Sequence, residues 1–171
     1  MAGRGTQNAD AASTRRVEGA RVLIIESRYY ETIAGPLLAG ALGEIEAAGA
    51  VSERVVVPGA LEIPLALAQA VKAGLIPGDA ARAKYDGCVA LGCVIRGETS
   101  HYDTVCNNAN HWLMELAVRH AIPLGNAILT VETEEQAMVR AAGAQGGKGA
   151  DAVRACLALV EHKRRFAKDT A

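Results

Sequence analysis

One histidine, His101, stands where an apolar run breaks into glycine, hydroxyls and charge: Gly92-Cys93-Val94-Ile95-Arg96-Gly97-Glu98-Thr99-Ser100-His101-Tyr102-Asp103. An intrinsic pKa of about 6.5 lets such a side chain take and give a proton near neutrality. Position alone fits a solvated turn histidine equally well. Just before it, Gly97-Glu98-Thr99-Ser100 offers backbone N–H groups and hydroxyls ahead of a helix, an arrangement that holds phosphate. A simple helix cap by Thr99 or Ser100 uses the same residues. Arg140 and Lys148 offer phosphate counter-charge, or stand as an exposed helix-end arginine and a turn lysine.

Other groupings carry less chemistry. Gly143-Ala144-Gln145-Gly146-Gly147-Lys148-Gly149 is superficially a phosphate-binding loop. The Walker pattern needs four residues between its first glycine and Gly-Lys, followed by Ser or Thr. Gly143 is one position too close, Gly149 lacks the hydroxyl, and the segment follows a helix instead of a strand, so nucleoside triphosphate binding is disfavoured. His111 and His120 fall within a helix as surface or packing residues, and His162 lies in a solvated helix end beside Lys163, Arg164 and Arg165. Cys88, Cys93, Cys106 and Cys156 show no zinc spacing and are expected to be reduced core residues, with no metal site. Cys88 and Cys93 are an odd number of positions apart on one strand and so face opposite ways.

The elements that must position these residues follow from periodicity. Arg21-Val22-Leu23-Ile24-Ile25-Glu26 predicts a buried strand, 32–48 a helix ended by Gly49, and 51–57 a second strand stopped by Pro58-Gly59. A second helix starts at Ala60-Leu61-Glu62-Ile63-Pro64. The third strand is the apolar run ending at His101, and Val105, Ala109, Trp112, Leu113, Leu116 and Ala117 make the apolar stripe of the helix after it. A fourth strand over 126–131, a short helix over 134–142, a glycine-rich turn over 143–149 and a last helix over 150–166 complete the chain. Alternating strands and helices imply a three-layer α/β/α sandwich on a four-stranded parallel sheet, flavodoxin-like, with every loop after a strand on one edge. Tyr29, the 60–62 segment, the 98–101 loop and Thr133 are thereby brought together.

The chain has 171 residues, enough for one domain. Residues 1–19, small and polar, predict a flexible N-terminal arm, leaving 20–171 as the domain. The net charge of −1 and scattered basic residues leave no footprint for nucleic acid or a membrane surface. A near-neutral surface favours association, hence a homo-oligomer. No stretch approaches a membrane span and 1–19 lacks a signal-peptide core, so with reduced cysteines the expected compartment is the cytoplasm.

Taken in order, Val57-Pro58-Gly59-Ala60-Leu61-Glu62-Ile63-Pro64, the 90–103 segment ending in Gly97-Glu98-Thr99-Ser100-His101-Tyr102-Asp103, Leu129-Thr130-Val131-Glu132-Thr133-Glu134-Glu135-Gln136-Ala137 and Gly147-Lys148-Gly149-Ala150 closely resemble the 6,7-dimethyl-8-ribityllumazine synthase family. The resemblance spans about residues 21–166. It implies condensation of a ribitylamino-pyrimidinedione with 3,4-dihydroxy-2-butanone 4-phosphate, releasing phosphate and water without cofactor or metal. By the same resemblance His101 is the proton-transfer residue, and Arg140 binds the phosphate with Glu98 and Thr99. Ala60, Leu61 and Glu62 hold the ribityl chain, Val94 and Ile95 bind substrate, and Lys148 lies near the site. Family sites lie between subunits of a pentamer, so the Arg140 and Lys148 side is expected from a neighbour.

Where many members have Arg-Phe-Asn, this chain has Arg28-Tyr29-Tyr30, so Tyr29 is expected to stack on the pyrimidine. Leu61 and Asn126 replace aromatic residues found in many members, which makes the ring pocket less aromatic. A flavin- or lumazine-binding module and a structural shell protein are the competing readings. His101, Arg140 and Glu98-Thr99-Ser100 favour the enzyme, since a binder needs no proton-transfer histidine beside a phosphate site.

Overall fold

The computed structural model describes residues 16–77 and 82–169. In chain order the elements are β1 (Arg21–Ser27), α1 (Glu31–Ala47), β2 (Val51–Val57), α2 (Glu62–Lys72), β3 (Gly87–Ile95), α3 (His101–Arg119), β4 (Leu124–Val131), α4 (Glu134–Ala141) and α5 (Gly147–Asp169). All four strands are parallel, in the order β2-β1-β3-β4. With helices on both faces this is the expected flavodoxin-like α/β/α sandwich.

Alternation along β1 shows why the sheet takes this form. Val22 and Ile24 pack with Ile33 and Leu37 of α1 and Val153 and Leu157 of α5. Leu23 and Ile25 pack with Ile63 and Leu67 of α2 and Leu113 of α3. Both faces are covered, so β1 and β3 are apolar runs without polar alternation. Cys88 and Cys93 fall in opposite core layers, as their odd separation requires.

Three details differ from expectation. Trp112 is 52% exposed and lies outside the buried stripe of Ala109, Leu113 and Ala117. One residue along a helix swings a side chain by about 100°, and Leu113 already holds the inward direction. Second, α5 starts at Gly147, not at residue 150, because positive φ values at Gly146 (84°) and Gly147 (59°) finish the reversal early. Lys148 therefore sits in a helical first turn. Third, most of the predicted arm, residues 1–15, lies outside the described residues, but Val17 is buried, with its N–H donating to the Ala48 carbonyl at 2.9 Å.

Helix ends repeat one device. After α1, Gly49 at φ 68° donates to Glu46 O (3.0 Å) and Ala50 donates to Ile45 O (3.1 Å), a Schellman closure. The end of α3 is closed the same way by Ala121, at φ 49°, with Ile122 N–H on Ala117 O at 2.9 Å. A Cβ in the left-handed region costs about 1–2 kcal/mol, and glycine returns part of that through its freer unfolded chain. Ala121→Gly is therefore expected to stabilise the fold by about 0.5–1 kcal/mol, checked by the midpoint of denaturant unfolding.

Candidate functional site

The strand order reverses between β1 and β3, and at their C-terminal ends opens a cleft of about 320 Å³, the place where open α/β sheets take ligands. Its walls are Tyr29 and Tyr30 after β1, residues Gly59, Ala60, Leu61 and Glu62 before and at the start of α2, and Cys93, Val94 and Ile95 of β3. Gly97, Thr99, His101, Tyr102 and Val105 close it from the β3–α3 side.

The β1–α1 loop is fixed from below. Glu26 at the end of β1 is only 1% exposed and faces Arg54 of β2 at 3.2 Å and Arg28 at 3.6 Å. Neither of its carboxylate oxygens has a well-aligned hydrogen bond, so ionic attraction is what offsets its burial. Above it Tyr29 is 72% exposed and meets Tyr30 edge to face, ring centroids 5.0 Å apart. Burial raises the Tyr30 hydroxyl above its ordinary range, with Tyr29 adding to the effect, so Tyr30 remains a hydrogen-bond donor. At the start of α2 the Glu62 carboxylate folds over the turn, 2.9 Å from where a Cβ on Gly59 would stand, a contact this flexible side chain relieves by swinging away.

The β3–α3 loop presents the chemistry. His101 is exposed at the first residue of α3, and its backbone N–H donates to the Thr99 hydroxyl at 3.3 Å. Ser100 makes no side-chain cap; its carbonyl accepts from Asp103 N–H at 3.1 Å. At the loop base Arg96 forks onto Asp103, both contacts 3.3 Å, and reaches Glu132 at 2.9 Å. Those hydrogen bonds, Asp103 first, raise the guanidinium pKa further. Cys93 borders the cleft from the buried core, its thiol pKa pushed up by burial to about 11, so near neutrality it is no nucleophile.

Eight of the residues expected from sequence line this one cleft: Tyr29, Ala60, Leu61, Glu62, Val94, Ile95, Thr99 and His101. The other four do not. Glu98 is exposed on the loop outside the lining. Asn126, on edge strand β4, donates to Asn110 of α3 at 2.7 Å and accepts from Ile128 N–H. Arg140, in the last turn of α4, donates to Gln136 O at 3.2 Å, and Lys148 pairs with Asp151 at 2.7 Å. Thr133 caps α4 and does not line the cleft. Sequence reasoning passed over Tyr30, Gly59, Cys93, Gly97, Tyr102 and Val105 as lining residues, for which the only signal was adjacency to the predicted ones.

Comparison with known proteins agrees with this geometry. The chain is 51% identical over 163 residues to the 6,7-dimethyl-8-ribityllumazine synthase of Azorhizobium caulinodans, covering 95% of this chain and 98% of that one. It is 53% identical over 146 residues to that of Methylobacterium radiotolerans, covering 85% and 84%. With 6,7-dimethyl-8-ribityllumazine synthase 1 of Rhodopseudomonas palustris it shares 50% identity over 152 residues, covering 89% and 91%. The family model described as 6,7-dimethyl-8-ribityllumazine synthase matches residues 19–164, which takes in every strand and the whole cleft, and the chain belongs to that family.

Proposed function

We propose that this protein condenses 5-amino-6-(D-ribitylamino)pyrimidine-2,4-dione with 3,4-dihydroxy-2-butanone 4-phosphate to give 6,7-dimethyl-8-ribityllumazine, phosphate and water, the penultimate step of riboflavin synthesis, as a cytoplasmic homo-oligomer of pentamers or a single pentamer. One observation carries the reading. The cleft joins a proton-transfer histidine to a helix-start loop suited to phosphate, yet no lysine or arginine is among its lining residues. A dianionic substrate at such a loop needs a cation from elsewhere, and Arg140 and Lys148 of a neighbouring copy supply it.

The roles follow from placement. Tyr29 stacks on the pyrimidine, Ala60, Leu61 and Glu62 receive the ribityl chain, and Val94 and Ile95 form the apolar floor. His101 carries the amine proton as the imine forms, assists departure of phosphate, and serves again at ring closure. Glu98 and Thr99 support the phosphate with their loop N–H groups. The chemistry balances as dehydrations plus one phosphate elimination, so no redox cofactor is required.

The unpaired apolar surface supports a neighbour on this side. Leu65 of α2 is 60% exposed, Trp112 and Val118 of α3 are 52% and 76% exposed, and Val55 and Val56 of edge strand β2 are open as well. Apolar side chains left open on α2, α3 and the β2 edge are surface that a neighbouring subunit would cover. Among the described residues no helix is long and apolar enough to cross a membrane.

Purified protein given both substrates is expected to form the lumazine, and absence of turnover would remove the reading. His101→Ala should lower kcat by about 100-fold or more, whereas Arg140→Ala should weaken the phosphate substrate by about 2–4 kcal/mol while sparing the pyrimidine. Mixing the two variants, assayed at a phosphate-substrate concentration too low for either alone to turn over appreciably, tests the shared site. Random assembly leaves about one site in four with an intact His101 and an intact Arg140 on the next subunit, so about a quarter of the activity should return. No return would place both residues in the same protomer's site.

A further inference from the structure

Arg96 does not line the cleft, yet its contacts tie together the elements on either side of the His101 loop. Its backbone N–H donates to Val131 O at 2.9 Å, which ties the end of β3 to the end of β4. Its guanidinium lies over the Tyr102 ring, 4.0 Å from the centroid, and grips both oxygens of Asp103 at 3.3 Å. Tyr102 and Asp103 are the two residues that follow His101 in the first turn of α3. The remaining nitrogen, Nε, faces Glu132 at 2.9 Å.

From Glu132 the contacts continue into α4. The Glu132 backbone N–H donates to Gln136 Oε1 at 3.0 Å, Gln136 N–H donates to the Thr133 hydroxyl at 3.3 Å, and Arg140 Nη1 donates to Gln136 O at 3.2 Å. An unbroken series of polar contacts thus links the helix start bearing His101 to the helix end bearing Arg140. We propose that Arg96 is a positioning residue that sets these two half-sites against each other within one protomer. This rests on the shared-site reading above, in which one protomer gives His101 to its own cleft and Arg140 to its neighbour's. Only a planar, five-donor group can hold all of these partners at once, because lysine keeps the charge but loses the fork and the stacking face.

Four variants of the full chain, Arg96→Lys, Arg96→Met, Asp103→Asn and Glu132→Gln, test it by steady-state kinetics, thermal unfolding and light scattering. Both Arg96 variants should lose about 10- to 100-fold in kcat/KM, with assembly size and melting temperature close to wild type. Asp103→Asn should act mainly on kcat, through the α3 start. Glu132→Gln should act mainly on KM for the phosphate substrate, through α4. Arg96→Lys with wild-type kinetics would overturn the proposal, as would identical effects of Asp103→Asn and Glu132→Gln on the same parameter. Loss of activity only in proportion to loss of folded protein would reduce Arg96 to a structural residue; should Arg96→Met fail to fold, the other three variants still decide. An inactive wild type would instead refute the enzymatic reading, a separate outcome.

Discussion

Burial of β1 and β3 side by side, each covered on both faces, is the constraint from which the site follows. The connection from β1 leaves by α1 on one face of the sheet, and that from β3 leaves by α3 on the other. Right-handed crossovers leave no alternative once β2 lies on one side and β4 on the other. The two loops therefore diverge and a crevice stays open between them. Into it fall Tyr29 from the first loop and Thr99 and His101 from the second, while the α2 start forms the third wall. The cleft is a gap that the packing cannot fill.

The arginines around the cleft are already engaged with carboxylates. Arg28 and Arg54 are committed to the buried Glu26, and Arg96 to Asp103 and Glu132. These three arginines brace the strand ends and loops around the cleft, so their charge is already matched. What the cleft itself offers a phosphate is backbone N–H groups, the Thr99 hydroxyl and His101. Such groups orient an anion well but neutralise it poorly, and Glu62 in the same wall adds negative charge. On the reading proposed above, a further arginine from a neighbouring subunit completes the balance, which would tie catalysis to assembly.

The fold was largely legible in the sequence because burial on two faces leaves a plain mark: seven of the nine residues of β3 are buried, and they are the apolar run. The site was legible where it is built from strand-end loops, since parallel topology alone gathers those loops on one edge. Solvent-facing apolar residues were not legible. Val55 and Val56 continue an apolar strand as any core residue would, but β2 is an edge strand and they are 42% and 52% exposed. Periodicity reports which residues share a face and is silent on what covers that face. Glu26, buried although charged, and Arg96, fixed by partners 7 and 36 residues away, were invisible for a related reason: long-range pairing leaves no local pattern.

The placement of aromatic rings shows the same division of labour. The chain has four tyrosines, one phenylalanine and one tryptophan. Three of the tyrosines, Tyr29, Tyr30 and Tyr102, line the cleft, whereas the buried core carries no aromatic ring other than that of Tyr85. Close-packed helices explain the core: where Gly149 of α5 meets α1, even a Cβ would overlap the Leu37 carbonyl, and Ala41, Ala137, Ala150 and Ala152 are buried as well. Layers that thin have no room for rings. On the reading proposed above, other molecules complete the packing of these rings, a planar heterocycle over Tyr29 and a second subunit over Trp112. Their exposure in the protomer would then be the counterpart of surfaces that substrate and neighbour cover.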